Sequence, residues 1–217
     1  MEDLHKHLMN IRKEFQHGSL DEKDVDRNPY LQFTKWMNQA VSSSVNEPNA
    51  MCLSTVDEEN KPSSRIVLLR EYSEKGFAFF TNYTSRKGKN LLQNKNASLL
   101  FFWPELERQI RIEGHVDFHS PKASDTYFSS RPRNSRIGAW SSPQSSVIEN
   151  REALEKLVTE FDKKYPNEVV PRPEFWGGYL LTANYFEFWQ GRESRLHDRI
   201  AYKISENNNW NIDRLAP

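Results

Sequence analysis

Arg195, His197 and Arg199 alternate in the run Trp189-Gln190-Gly191-Arg192-Glu193-Ser194-Arg195-Leu196-His197-Asp198-Arg199. Read as a strand, the run points those three basic groups one way and Leu196 and Ile200 the other. Two guanidiniums and an imidazole make a poor core and a good site for an anion or a ring oxygen. A solvated strand face is the competing reading. Phe188, Trp189 and the Gly191 turn beside the run weigh against it.

Further clusters share this character. Arg65-Ile66-Val67-Leu68-Leu69-Arg70 brackets an apolar strand with guanidiniums, so each end can meet an anion at a barrel rim. Thr81 with Ser85-Arg86-Lys87 joins hydroxyls, two cations and the free N–H groups of a helix start, a combination that favours phosphate. Tyr127, Arg131 and Ser135 recur every four residues and can converge on one small anion even across a kink at Pro132. One guanidinium with two hydroxyls suits a phosphate monoester. Gln109 and the pair Gln144-Ser145 add neutral groups of the kind that read a heterocycle edge. Two phosphate-sized sites imply a phosphorylated cofactor and a phosphorylated substrate.

Other chemistries lack their signatures. No G-x-G-x-x-G, G-x-x-x-x-G-K-[ST] or G-x-S-x-G occurs, which removes the usual support for a Rossmann site, a P-loop or a nucleophile elbow. His115 and His119 straddle a strand end, and no second cysteine completes a zinc set, so no metal is expected. Cys52, alone in an apolar run, reads as buried filler; a lone cysteine also fits a reducing, cytoplasmic compartment.

The elements that must hold these groups follow from periodicity. Residues 1–27 form a charged arm, helical around Leu4, Leu8, Ile11 and Phe15, and residues 28–217 a single domain. Asn28-Pro29 starts a helix carrying the stripe Phe33, Trp36, Met37, Ala40 and Val41, which ends before Pro48. Strands are expected at 51–56, 65–72, 76–82, 98–103 and 109–118, then at 176–183, 185–190, 198–204 and 210–214, with Asn207-Asn208-Asn209 as a hairpin turn. Short helices open at Ser85 and Ser120, the latter broken at Arg131-Pro132. Ser146-x-x-Glu149 reads as a capping box before an amphipathic helix with Leu154, Leu157, Val158 and Phe161. The class is mainly β with flanking helices (α+β), and the many short strands suggest a barrel.

The totals narrow the partners. Thirty basic residues balance thirty acidic ones, which argues against bulk nucleic acid or an anionic membrane as the main partner. No span is long enough to cross a bilayer. Hydrophobic residues are 36% of the chain, modest for one domain, so burial against a second subunit is expected to supplement the core.

Eight segments in order identify a family resemblance: Arg65-Ile66-Val67-Leu68-Leu69, Thr81-Asn82-x-x-Ser85-Arg86-Lys87, Leu106-Glu107-Arg108-Gln109, Ser130-Arg131-Pro132, Ile137-Gly138-Ala139-Trp140, Gln144-Ser145-Ser146, Phe175-Trp176-Gly177-Gly178 and Arg195-Leu196-His197-Asp198-Arg199. With the closing Ile212-Asp213-Arg214-Leu215-Ala216-Pro217, the chain resembles the pyridoxine/pyridoxamine 5'-phosphate oxidase family over nearly its whole length. The resemblance implies a homodimeric split β-barrel with FMN between subunits. It implies oxidation of pyridoxine or pyridoxamine 5'-phosphate to pyridoxal 5'-phosphate by O2, releasing H2O2, and NH3 from the amine. The FMN contacts it implies are Arg65, Ile66, Val67, Leu68, Leu69, Arg70, Phe80, Thr81, Arg86, Lys87, Gln109, Gln144, Ser145, Trp189 and Arg199. Arg70, Tyr127, Arg131 and Ser135 would meet the substrate phosphate, while Arg195, Leu196 and His197 would hold its ring, with Arg195 and His197 catalytic. Arg12, Lys13, Glu14 and Phe15 match an arm segment that closes over the substrate.

Three positions depart from the family pattern: Arg70 where lysine is usual, Phe15 where tyrosine is common and Glu47 where aspartate is frequent. They bear on substrate affinity and arm closure, not on the class of reaction. A non-catalytic flavin or pyridoxal-phosphate carrier of the same fold is the alternative, as is a flavin reductase. The whole substrate set speaks against a carrier. An RNA-binding module built on Ser129-Ser130-Arg131-Pro132-Arg133-Asn134-Ser135-Arg136 is a third reading, disfavoured by the neutral total.

Overall fold

Local chemistry at the chain's turns and caps sets where its elements begin. The computed structural model describes residues 2–11, 15 and 18–217. In chain order the elements are α1 (Glu2–Asn10), α2 (Pro29–Ser42), β1 (Ala50–Val56), β2 (Pro62–Leu68), β3 (Glu71–Ser73), β4 (Gly76–Asn82), α3 (Arg86–Gln93), β5 (Asn96–Trp103) and β6 (Arg108–Phe118). Then follow α4 (Pro121–Ser130), α5 (Arg133–Ser141), α6 (Arg151–Lys164), β7 (Trp176–Gln190), a 3-10 turn (Glu193–Arg195), β8 (Asp198–Ile204) and β9 (Trp210–Arg214).

Three expected caps are in place. The Asn28 side chain accepts from Tyr30 N at 2.9 Å, Ser85 Oγ from Gly88 N at 3.3 Å and Ser120 Oγ from Ala123 N at 3.1 Å. The expected capping box at Ser146 does not form. Instead the helix starts at Arg151, and Asn150 stands at its cap position, its side chain accepting from Ala153 N at 2.8 Å. The arm helix stops at Asn10, so Ile11 and Phe15 lie outside it.

Among the described residues nine strands form one sheet in the order β2-β1-β5-β6-β7-β4-β3, with β8 pairing on β7 and β9 on β8. The fold is mainly β with flanking helices, as expected. Two strand boundaries differ from the sequence reading. The segment 65–72 is two strands, because Leu69 N bonds Asn49 O while Arg70 N bonds Ala78 O, so the chain changes partner from β1 to β4 at that point. Residues 176–190 form one continuous strand whose first part pairs with β4 and whose last part pairs with β8. The hairpin at 207–209 forms, with Asn208 left-handed at φ 58°.

Two compact units divide the chain, one of residues up to Pro48 with Phe101–Arg111 and Tyr185–Pro217, the other of Asn49–Leu100 with Ile112–Asn184. In the first, Phe33 meets Phe101, Trp36 meets Phe188 and Tyr30 meets Phe186, all edge to face. In the second, Phe79 and Phe118 pack on Tyr179. Cys52 is half-buried on the outer face of β1 and not in the core, because the alternation buries Met51 and Leu53 instead. Among the described residues no helix is long and apolar enough to cross a membrane.

Candidate functional site

The second unit holds a cleft of about 610 Å³ that gathers nine of the fifteen expected FMN contacts and all four groups expected to meet the substrate phosphate. β2 and its exit contribute Arg65, Ile66, Val67, Leu68 and Arg70; β4 contributes Phe80 and Thr81; α3 contributes Lys87. The α4–α5 break brings in Tyr127, Arg131 and Ser135, and the loop after α5 brings Gln144. Leu69 turns into the core, at 6% exposure. Arg86 and Ser145 line a neighbouring cleft with Gln144. Arg65 sits within β2 and not at its end, since the strand starts at Pro62. Its guanidinium donates to Leu53 O, Thr55 Oγ1 and Ser63 Oγ at 3.1, 2.8 and 2.7 Å.

Around Lys87 the cleft is polar and compact. Its Nζ donates to Thr81 Oγ1 at 3.1 Å and to Gln144 Oε1 at 2.9 Å, and Thr81 Oγ1 donates to Gln144 Oε1 at 3.1 Å. Burial, with the Arg65 charge behind it, takes the Lys87 pKa from the usual 10.5 down to about 8. Such a shift marks a cation short of counter-charge. The α3 start reaches this position because Gly88 has no side chain: a Cβ there would lie 2.1 Å from the Tyr83 carbonyl oxygen. Gly177, in the Phe175-Trp176-Gly177-Gly178 motif, packs equally close, with its Cβ position 2.0 Å from the Tyr83 hydroxyl.

Tyr127 and Arg131 stand in an aromatic wall. Phe80 stacks on Tyr127 at 4.1 Å and on Trp176 at 5.8 Å. The Arg131 guanidinium lies 4.7 Å from the Trp176 ring centroid and 5.6 Å from that of Phe128. Its Nη1 is buried and makes no hydrogen bond among the described residues, and burial lowers its pKa. A buried cationic donor without a partner is costly unless an anion arrives. Arg70 is exposed, 5.6 Å from the Tyr127 ring, where it can move to meet such an anion.

The first unit holds the aromatic and basic groups of the C-terminal run. That run is not a continuous strand. Ser194 and Arg195 have φ of 55° and 60°, which winds a 3-10 turn, and pairing resumes only at Asp198. Alternation therefore does not place Arg195, His197 and Arg199 on one face. Arg195 and Leu196 are exposed on the turn. His197 lies 4.6 Å from Trp189, centroid to centroid, and its Nδ1 accepts the Arg192 backbone N–H at 3.1 Å. That bond leaves Nε2 to carry the proton of the neutral ring, pointing a donor outward. Burial first, and the Arg195 charge second, lower the His197 pKa. Phe15 packs edge-on against both Trp189 and His197, at 5.6 and 5.3 Å. Arg12, Lys13 and Glu14 lie outside the described residues.

Arg199 is held by a group the sequence reading missed. Glu187, 2% exposed, accepts Arg199 Nε at 3.0 Å and Nη2 at 3.1 Å, and Arg111 Nη1 at 3.0 Å. Arg199 Nη1 also donates to Ala216 O at 2.7 Å. A glutamate between two phenylalanines in a strand was the available signal. Gln109 is half-buried on β6.

Comparison with known proteins bears on the family and the fold. Residues 37–165 match a family model described as pyridoxamine 5'-phosphate oxidase, and residues 176–217 one described as the pyridoxine 5'-phosphate oxidase C-terminal dimerisation region. A pyridoxine/pyridoxamine 5'-phosphate oxidase of Nostoc punctiforme is 52% identical over 214 residues, 99% of this chain and 100% of that protein. One of Paraburkholderia phymatum is 56% identical over 210 residues, 97% of this chain and 99% of its own. Among solved structures, PhzG from Burkholderia lata 383, in complex with tetrahydrophenazine-1-carboxylic acid, matches with a TM-score of 0.86 at 30% identity, over 93% of this chain and 99% of that one. An FMN-binding, pyridoxamine 5'-phosphate oxidase-related protein of Nostoc punctiforme shares the fold, with a TM-score of 0.70 at 18% identity over 89% of this chain and 100% of that one. The fold is the split barrel expected from the sequence.

Proposed function

The chain belongs to the pyridoxine/pyridoxamine 5'-phosphate oxidase family, and we infer that it oxidises pyridoxine 5'-phosphate or pyridoxamine 5'-phosphate to pyridoxal 5'-phosphate. O2 is the acceptor and H2O2 the by-product, with NH3 released from the amine. The cofactor is FMN, and the working form is a homodimer, with the flavin placed at the subunit boundary. The reading keeps the enzyme in the cytoplasm, in vitamin B6 salvage.

The observation that carries this reading is Arg131. Its buried Nη1, without a partner among the described residues and beside Tyr127 and Ser135, fits a phosphate monoester. Lys87, Thr81 and Gln144 form a second polar cluster that fits the phosphorylated cofactor. Bound FMN supplies a two-electron acceptor for the hydride leaving the substrate's exocyclic carbon. The protein's part is placement and charge. Arg195 and the outward Nε2–H of His197 hold the substrate ring and its phenolic oxygen. Arg131, Tyr127, Ser135 and Arg70 hold the phosphate, and Phe15 covers the His197–Trp189 edge.

One anaerobic titration tests the whole reading. The yellow protein is expected to bleach with pyridoxine 5'-phosphate and to regain colour, with peroxide, when air returns. Colour that persists after substrate is added would leave a carrier of the same fold. A second expectation follows from Lys87. Its pKa near 8 means that an anion binds best while the amine is protonated, and binding raises that pKa. FMN affinity of the stripped protein should thus fall as pH rises through 8, with a proton taken up on binding once the free amine is neutral. A fluorescence titration that is flat between pH 7 and 9 would remove Lys87 from the cofactor site.

A further inference from the structure

Asp198 is the one polar member of the Arg195-Leu196-His197-Asp198-Arg199 motif without a role so far, and its contacts supply one. Its side chain is 17% exposed. Oδ2 accepts the Leu20 backbone N–H at 3.0 Å and Arg192 Nη1 at 3.2 Å, while Oδ1 accepts Arg214 Nη1 at 2.8 Å. Arg214 continues to Glu22, donating from Nε and Nη2 at 2.6 Å each, and to Leu20 O at 3.1 Å. The Arg214 bond is the main reason the Glu22 carboxyl is held down to about 2. On the other side, Arg192 N is the donor that fixes His197 Nδ1, at 3.1 Å. One carboxylate is therefore bonded both to the root of the arm and to the loop that carries His197.

Phe15 stands on the same arm, five residues before Leu20. Its ring rests on Trp189 and His197, and it fits there because residue 191 is glycine, whose Cβ position lies 2.8 Å from the ring. A cleft of about 560 Å³ is bounded by Phe15, Gly18 and Ser19 on the arm and by Arg192, Glu193 and Leu196 on the loop. An amide in place of the carboxylate could not serve every donor. In Asp198→Asn, an amide oxygen kept for Leu20 leaves the NH2 facing Arg214, donor against donor. Turned over, the same NH2 faces the Leu20 amide and Arg192.

We propose that Asp198 is a positioning residue that couples the arm to the substrate-binding loop, seating Phe15 against His197 and Trp189. The proposal rests on the oxidase reading for its kinetic consequence, and on the protein alone for its structural one. The test combines Asp198→Asn, Phe15→Ala and the double variant in FMN-loaded protein, with hydrogen exchange at the Leu20 amide as a readout free of turnover.

Each single change is expected to raise KM for pyridoxine 5'-phosphate by roughly 10-fold, and the double variant by about the same factor, because both remove one seat. Leu20 exchange should quicken by about 10-fold or more in Asp198→Asn, because either orientation of the amide sets its NH2 against Leu20 or against Arg214 and loosens the clamp on the arm. KM effects that multiply in the double variant, or an unchanged Leu20 rate, would overturn the coupling. If Asp198→Asn does not fold, Arg214→Gln breaks the same clamp one residue further out. Faster Leu20 exchange with non-multiplying KM supports the coupling there, and the absence of either defeats it. A wild-type protein that never turns over pyridoxine 5'-phosphate would sink the oxidase reading, and Leu20 exchange would still decide whether Asp198 anchors the arm.

Discussion

Replacing Arg195 by leucine is expected to lower kcat by roughly 100-fold or more, since removing one charge-stabilising donor typically costs about 10²–10³ in turnover. The purified variant should remain yellow, because the groups assigned to the flavin are elsewhere. The backbone makes this a clean comparison. Ser194 and Arg195 both sit in the left-handed region, at φ 55° and 60°. That conformation costs a non-glycine residue about 1–2 kcal/mol. It is held by Leu196 N donating to Glu193 O at 3.1 Å and Arg192 N donating to His197 Nδ1 at 3.1 Å. Leucine bears the same Cβ and the same backbone cost, so the loss measured is that of the guanidinium. Steady-state rates alongside flavin content per chain check the result. Turnover near the wild-type rate would dismiss Arg195 from the chemistry, and a colourless protein would move it to the cofactor.

Arg131→Leu is expected to act on substrate binding instead. A charge-assisted contact to phosphate in a buried site is worth about 2–4 kcal/mol, so KM should rise by roughly 30- to 1000-fold with kcat changed far less. Stability should move the other way or not at all. In the free protein the guanidinium is half-buried against Trp176 and Phe128, with Nη1 unpartnered among the described residues. Leucine keeps apolar packing on those rings and removes an uncompensated charge. Tm should therefore hold or rise slightly. An unchanged KM would refute the phosphate assignment, and a large fall in Tm would show the arginine to be structural. Such an opposition between binding and stability is what a preorganised anion site predicts.

How much of this was legible depended on how local the cause was. Caps at Asn28, Ser85 and Ser120 could be read because each bonds an amide two or three residues on. The same rule misled at Ser146, where Asn150 stood nearer the helix. Strand runs were legible from alternation, but the partner change at Leu69-Arg70 was not, because it is made by carbonyls of Asn49 and Ala78. The Arg195 turn escaped because neither Ser194 nor Arg195 advertises a positive φ as glycine would. Glu47 shows the same silence, left-handed at φ 47° in a position where a shorter aspartate would sit more easily. Glu187 was passed over because a charged residue in a strand reads as solvent-facing, whereas Arg111 and Arg199 cover it from outside. Motif order pointed to the proposed binding groups; the bonds those side chains make required the fold.

The guanidinium of Arg131 on the Trp176 ring has a practical side. An indole beside a cation emits at a wavelength set partly by that charge, so whatever neutralises Arg131 also retunes Trp176. The chain has six tryptophans, and the difference spectrum against Trp176→Phe isolates this one. On the proposed assignment of Arg131 to the substrate phosphate, the protein carries its own optical gauge of phosphate occupancy. It works in the stripped protein, with inorganic phosphate, before any electron has moved.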